Sequence, residues 1–307
     1  MRKHHPPAWV WLAFLAATLI GVLVWLGPGA PPGSGGSGRP LRGAVGPQRQ
    51  RAGPRVTPPQ SGRRARPDAG KGEGRPAGPA EAPGAAPGPR LAVVIDDVGY
   101  EIDPVRELLA LGMPLSFAVI PHQRYSRWAA QIAYERGQEV LIHLPMEPLE
   151  YPLHDPGQGA LLSTMDEQEM RSALRQALRS VPHARGLNNH MGSRLTADPD
   201  SMRLLMQELA RRRLYFLDSR TTSDSVALTQ ARAAHVPCIE RHVFLDARPE
   251  RGFIEAQLGL AAERARQQGS AVAICHPRPG TLEVLRRELP RLREQGVTLV
   301  LASELAS

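Results

Sequence analysis

From Leu91 onward, short apolar runs alternate with amphipathic stretches. "LAVVI" precedes "PVRELLALG", "LSFAVI" precedes "YSRWAAQIAYERG", and "EVLIHL" opens a Pro- and Gly-rich stretch over 145–160. Helical spacing returns in "TMDEQEMRSALRQALRSV", "DPDSMRLLMQELARRR", "DSVALTQARAA" and "PERGFIEAQLGLAAERARQQG". Between them lie the strand-like "ARGLNNH", "LYFLDS" and "HVFLD", and "SAVAICH", "GTLEVLRRELPRLREQG" and "VTLVLAS" complete the series. β-rich runs between helical patterns predict an α/β domain with a mostly parallel sheet and helices outside it. The sheet is either a closed or nearly closed barrel or an open doubly wound sheet. Ser163 or Thr164 is the expected N-cap of the helix that follows. Pro290 is expected to kink or break the last helix, because it removes a backbone donor and crowds the preceding turn.

The first ninety residues follow other rules. Trp9–Gly27 carries no charge and follows the basic "MRKHHPP". As a helix it would extend ~28 Å at ~1.5 Å per residue, close to the hydrocarbon thickness of a bilayer. Trp9, Trp11 and Trp25 fall near its ends, where indole rings favour the membrane interface. Its length and the "GPGAPPG" that follows favour an uncleaved anchor over a cleaved signal peptide. The expected location is therefore the inner membrane, single-pass, with the folded part on the outer, periplasmic side. Release into the periplasm after cleavage is the alternative. Residues 28–90 are rich in Gly, Pro, Ala and Arg and lack large apolar side chains, which predicts a disordered linker. The expected organisation is thus an anchor over 1–27, a linker over 28–90 and a folded domain over 91–307.

Charge changes the picture once it is located. The whole chain is +8, but residues 28–90 alone carry +8 and residues 91–307 carry −2. A nucleic-acid-binding domain concentrates Lys and Arg on its own surface, so no nucleic-acid partner is expected. Cys238 and Cys275 are expected to be buried, inert thiols, with pairing outside the cytoplasm as the alternative.

In parallel α/β folds, ligands bind at the carboxyl ends of the strands. No GxGxxG or GxxxxGK[ST] follows the first strand, so the usual nucleotide cradles are absent. Asp96, Asp97, His143, His190, Asp218, Asp246 and His276 end the predicted strands. One carboxylate and two imidazoles suit a divalent ion with positions open for water and substrate. A second carboxylate could take a proton from that water, and a separate His could protonate a leaving group. Adjacent Asp residues on an extended segment point to opposite faces, so a turn is needed to bring Asp96 and Asp97 to one place. Asp246, in "DARPE", reads as a turn or cap residue.

The segments "VVIDDVGY", "LSFAVIPH", "EVLIHLPMEP", "GLNNHMGSRLT", "LYFLDSRTTSDSVA" and "AICHPRPGTLEVL" resemble the divergent polysaccharide deacetylases, relatives of the NodB-type carbohydrate esterases. The resemblance spans about residues 90–304 and is most telling at "NNHMGS". It implies a distorted (β/α) barrel of the NodB-like type, a divalent metal, and removal of acetyl groups from N-acetylated sugars. The oxygen and nitrogen donors suit zinc first, with nickel, cobalt or iron as alternatives. Carried over, Asp96 would be the base, Asp97 and His143 metal ligands, and His276 the acid, with Asp218 orienting it. The ordinary family has a second His four residues after the first, and "HLPME" puts Glu147 there. Either His190, which is preferred, or Glu147 then completes the metal site. Asn189, Ser193 and Arg194 are the expected substrate contacts, with Arg220 as the alternative to Arg194. The expected partners are a carbohydrate polymer or peptidoglycan fragment, the membrane through residues 9–27, and possible envelope proteins. A non-catalytic glycan- or envelope-protein-binding module on the same scaffold is the alternative, motivated by the lost HxxxH spacing.

Overall fold

The structure is a computed structural model and describes residues 88–307. The anchor and nearly all of the linker expected from the sequence lie outside the described residues. Among the described residues, no helix is long and apolar enough to cross a membrane.

Strands and helices alternate as the sequence pattern predicts. In chain order they are β1 (Arg90–Val98), α1 (Asp103–Ala110), β2 (Ser116–Val119), α2 (Ser126–Glu135) and β3 (Glu139–Met146). Then come α3 (Glu167–Ser180), β4 (Gly186–Met191), α4 (Pro199–Arg212), β5 (Tyr215–Asp218) and α5 (Ala227–Ala233). The last are β6 (Cys238–Glu240), β7 (Val243–Phe244), α6 (Arg251–Gln268), β8 (Ser270–Cys275), α7 (Pro279–Glu294) and β9 (Thr298–Val300).

All strand pairs are parallel, in the order β6-β5-β4-β3-β2-β1-β8-β7. One edge of β1 pairs with β8 over Arg90–Ile95. The other edge is shared, β9 taking Arg90–Ala92 and β2 taking Val94–Val98. The sheet curls into a half-barrel whose two ends meet in one chain segment. Residues 238–241 bond to β5, ending with Arg241 N–H to the Asp218 carbonyl at 2.9 Å. The next residue, His242, already donates to the Val272 carbonyl of β8 at 2.9 Å.

Two apolar layers hold this arrangement. Outward-facing Leu91, Val93, Ile95, Phe117, Ile142 and Phe216 pack with the helices. Inward-facing Ala92, Val94, Ala118, Leu141, Leu217, Val272 and Ile274 fill the barrel. Both faces are buried, which is why these strands read as continuous apolar runs. The amino ends of the strands are closed by the C-terminal residues. Val300 and Ala302 join the inner layer, and buried Glu139 Oε2 accepts from Ser116 Oγ at 2.7 Å, Tyr215 Oη at 3.0 Å and Ser303 N at 3.2 Å. The carboxyl ends therefore form the open mouth.

The N-cap of α3 is Asp166, not Ser163 or Thr164. Asp166 accepts from Glu169 N at 2.8 Å while Glu169 accepts from Asp166 N at 2.9 Å, a reciprocal capping box worth about 1 kcal/mol. Ser163 is instead engaged with Glu147. Helix α7 runs through Pro290 without ending there. Cys238 and Cys275 are both buried and unpaired with each other, as expected.

Candidate metal centre and its cavity

Strand parity decides what reaches the mouth. On β1 the inward row is Ala92, Val94 and Asp96; on β3 it is Leu141 and His143; on β8 it is Val272, Ile274 and then His276. On β4, Leu187 packs outward, so Asn188 and His190 face inward. By the same alternation Asp97 should follow Ile95 outward. It does not, because the ladder between β1 and β2 slips between Ile95 and Val98 and Asp97 adopts φ 56°. A bulge inside the strand, rather than a turn after it, re-aims the carboxylate to the side of Asp96. Asp is among the few L-residues that tolerate this left-handed conformation.

Asn188 organises the centre. Its Nδ2 donates to Asp96 Oδ1 at 2.8 Å, so its Oδ1 is the atom 2.9 Å from His143 Nδ1. A carbonyl oxygen cannot donate, so His143 carries its proton on Nδ1 and presents the Nε2 lone pair. That Nε2 lies 3.3 Å from Asp97 Oδ1 and 3.2 Å from His190 Nδ1. His190 Nδ1 lies 3.0 Å from the same carboxylate oxygen. Asp97, His143 and His190 thus offer three ligand atoms within 4.8 Å of one another. Asp97 Oδ1 is buried and, despite these close nitrogens, lacks a hydrogen bond of good alignment. An orphaned carboxylate oxygen facing two imidazole nitrogens fits a divalent cation of borderline softness.

Electrostatics separates the two Asp residues. Burial raises the pKa of Asp96, against the opposing charge of His143 and the Asn188 hydrogen bond. Burial would also raise Asp97, but His143 and His190 beside it hold it well below the usual carboxylate range. Burial would lower His143, yet Asp96 and Asp97 outweigh it and its pKa is raised. Asn188→Ala would leave Asp96 and His143 Nδ1 without their buried partner. The expected cost is about 1–3 kcal/mol of stability, with metal affinity falling roughly 10–100-fold as for other lost supports of a ligand His. Denaturant unfolding and metal titration of the variant check both.

His276 sits across the mouth, with Nε2 3.6 Å from Asp97 Oδ2. Its Nδ1 is 3.0 Å from Asp246 Oδ1, and its backbone N–H donates to Asp246 Oδ2 at 2.8 Å. Thr281 Oγ1 donates to the same oxygen at 2.9 Å. Burial would raise Asp246, but His276 lowers it, so the carboxylate stays ionised beside the ring. Asp246 is therefore the residue that orients His276, not a cap for α6, and the expected orienting role of Asp218 is not met. The inward row of β5 is Tyr215 and Leu217, so Asp218 faces away from the mouth. There it accepts from Arg220 N and Ser225 Oγ, each at 2.7 Å.

Glu147 stands apart from the candidate ligand cluster. Its Oε2 accepts from Ser163 N and Oγ, each at 2.6 Å, and its Oε1 lies 3.4 Å from Arg194 Nε. Arg194 also donates to the Leu149 carbonyl at 2.9 Å, and Ser193 Oγ accepts from Leu149 N at 3.0 Å. Glu147, Ser193 and Arg194 thus fasten the loops after β3 and β4; Glu147 lies outside the ligand cluster, and Ser193 and Arg194 are not in the lining of the cavity at the mouth. Asn189 lines the mouth, but its side chain is engaged with Ser219 N at 2.8 Å and the Met191 carbonyl at 2.8 Å. It shapes the wall. "NNHMGS" therefore encodes a tight corner as well as the candidate ligand His190: Gly192 has φ 89°, and a Cβ there would lie 2.8 Å from Met146 Cβ.

A cavity of about 340 Å³ opens beside Asp96, His143, His190 and His276. Met191, Phe244 and Ile274 give it an apolar side, and Arg220 and Arg241 a basic one. The sequence reading gave no role to Asn188, Arg241 or Phe244, and it took Asp246 for a turn or cap residue rather than the partner of His276. Counting back two residues from His190 would have found Asn188.

The chain belongs to the divergent polysaccharide deacetylase family, whose model matches residues 93–306. It is similar to the uncharacterized protein YibQ of Escherichia coli, 41% identical over 217 residues, covering 70% of this chain and 67% of that one. An uncharacterized protein of Haemophilus influenzae is 41% identical over 206 residues, covering 67% and 72% respectively. Among solved structures, the uncharacterized protein ATU2773 from Agrobacterium tumefaciens shares the fold with a TM-score of 0.68 at 23% identity, covering 72% of this chain and 91% of that one. A putative cellobiose-phosphate cleavage protein from Enterococcus faecalis does so with a TM-score of 0.52 at 16% identity, covering 72% and 100%.

Proposed function

We propose that this chain is a metal-dependent hydrolase that removes acetyl groups from N-acetylated sugars of the cell envelope, peptidoglycan or a related polymer. The reading rests on one observation above all. Asp97, His143 and His190 converge beside a second buried carboxylate, Asp96, and a carboxylate-held imidazole, His276.

Asp97, His143 and His190 would hold a divalent ion, zinc first, and that ion when bound supplies Lewis acidity toward an amide carbonyl. Asp96 takes the proton of the attacking water as general base. Asn188 keeps Asp96 and the His143 ring in place through one side chain that bonds both. His276, with Nδ1 committed to Asp246, holds a proton on Nε2 for the departing amine. As the C–N bond breaks, acetate takes the water oxygen and the sugar leaves as a free amine. The apolar side of the cavity excludes water around the reacting amide and seats the substrate.

The NodB-like character of the barrel and the placement of the protein belong to the same proposal. An uncleaved anchor over 1–27 and a linker over 28–90 would hold the domain on the periplasmic side. A 63-residue linker reaches about 40–50 Å in root-mean-square terms, at about 5–6 Å times the square root of its length.

The test is acetate release from chitin oligomers and peptidoglycan fragments by zinc-loaded full-length protein. Asp96→Asn is expected to lower the rate by roughly 10²–10⁴ with metal retained, as loss of a general base does. Glycan binding that persists with no acetate released by any metal-loaded form would overturn the hydrolase and leave a binding module.

A further inference from the structure

The cavity holds a positive charge that the proposed chemistry does not use. Arg241 lies on the segment that bridges β5 and β8, where its guanidinium lines the cavity beside Phe244, 5.2 Å from the ring centroid. Its Nε donates to the Ser219 carbonyl at 2.7 Å and its Nη2 to the Arg220 carbonyl at 3.0 Å. Both acceptors are neutral, and they fix the plane and direction of the guanidinium fork. Among the described residues, Arg241 forms no ion pair and its Nη1 has no partner.

The nearby carboxylates are committed elsewhere. Asp96 accepts from Asn188, and Asp218 is satisfied by Arg220 N and Ser225 Oγ. Arg220, the other basic residue of the wall, has Glu240 at 3.5 Å. Burial lowers the pKa of Arg241, the mark of a cation short of compensation despite the longer-range pull of Asp218 and Asp96. A half-buried, oriented and unpaired guanidinium is costly to keep unless something anionic arrives. Its free edge is suited to the paired oxygens of a carboxylate or phosphate.

We infer that the cavity recognises an anionic sugar, with Arg241 binding a carboxylate or phosphate group carried close to the scissile amide. The inference rests on the deacetylase reading for the position of that amide. It narrows the substrate from N-acetylated polymers in general to those with an oxyanion near the acetamido group. An acetyl group alone would leave the Arg241 guanidinium, and much of a cavity of about 340 Å³, without a partner.

Binding and turnover, read separately on the full-length zinc-loaded protein, test it with three probes. These are neutral N-acetylglucosamine oligomers, peptide-free glycan strands whose N-acetylmuramic acid bears a free lactyl carboxylate, and the phosphate monoester of N-acetylglucosamine. Calorimetry should show at least one anionic probe bound roughly tenfold or more tightly than a neutral probe of matched length, as a charge-assisted bond implies. Which anionic probe wins identifies the oxyanion. The preference should collapse in Arg241→Gln and survive in part in Arg241→Lys. In the unmutated protein it should shrink as salt is raised, which keeps the test valid if a variant fails to fold. Equal binding of neutral and anionic probes, a preference unchanged in Arg241→Gln, or binding of none would overturn the inference. A preference for an anionic probe without acetate release from any would uphold it and overturn the hydrolase instead.

Discussion

Asp97→Ala is expected to abolish both stoichiometric metal binding and acetate release. The structure gives the reason in one atom. Asp97 Oδ1 faces the two imidazoles of the centre and is otherwise unsatisfied. Without it, His143 and His190 remain as a two-nitrogen site lacking the carboxylate that balances the charge of a divalent ion. The bulge matters as much as the side chain, because Asp97 reaches the mouth only through its left-handed backbone. His190→Ala should have the same effect. Glu147→Gln should not, since Glu147 is turned toward Ser163 and Arg194. Metal content of the three purified variants, measured by mass spectrometry after dialysis, checks the set. Loss of metal in Glu147→Gln together with its retention in His190→Ala would reverse the assignment of the third ligand.

The second large effect separates two carboxylates that look alike in sequence. Asp246→Asn is expected to lower kcat for acetate release by roughly 10²–10⁴, the range of lost acid–base catalysis. Its amide would favour the wrong tautomer of His276 and would no longer stabilise the protonated ring. Asp246 is a positioning residue, so KM and metal content should stay near their unmutated values while kcat falls. Asp246→Glu should recover part of the rate. Asp218→Asn should leave kcat within a few-fold, because Asp218 touches Arg220 and Ser225 and not His276. A greater loss of kcat in Asp218→Asn than in Asp246→Asn would contradict this account of the mouth.

Much of the domain was legible in the sequence because parallel strands buried on both faces leave apolar runs that helical patterns interrupt. Polar residues at the ends of such runs stand out, which is how Asp96, Asp97, His143, His190 and His276 were found. The same burial hides which face each strand-end residue takes. "LYFLD" and "HVFLD" look equivalent, yet Leu217 faces inward on one and Phe244 on the other, so Asp218 is sent away and Asp246 is brought in. Nothing in the composition of "VVIDDVGY" announces a bulge, since Asp tolerates both extended and left-handed backbone. Strand β6 is only three residues long, too short for a periodicity signal, and so Arg241 could not be assigned to the cavity. Pro290 does not break its helix, since α7 continues through it to Glu294. Glu147 stood as the alternative to His190 because spacing alone does not say where the strand stops aiming its side chains inward.

The claim on which the rest depends is that Asp97, His143 and His190 hold a metal that the hydrolysis requires. One measurement addresses it most directly: acetate release from peptidoglycan fragments by full-length protein, titrated with zinc from the metal-free state while bound metal is counted. The account predicts no release without metal, a rise in parallel with occupancy of a single class of site, and neither binding nor release in Asp97→Ala. Acetate release at full rate from metal-free protein, or tight stoichiometric binding that persists in Asp97→Ala, would contradict it.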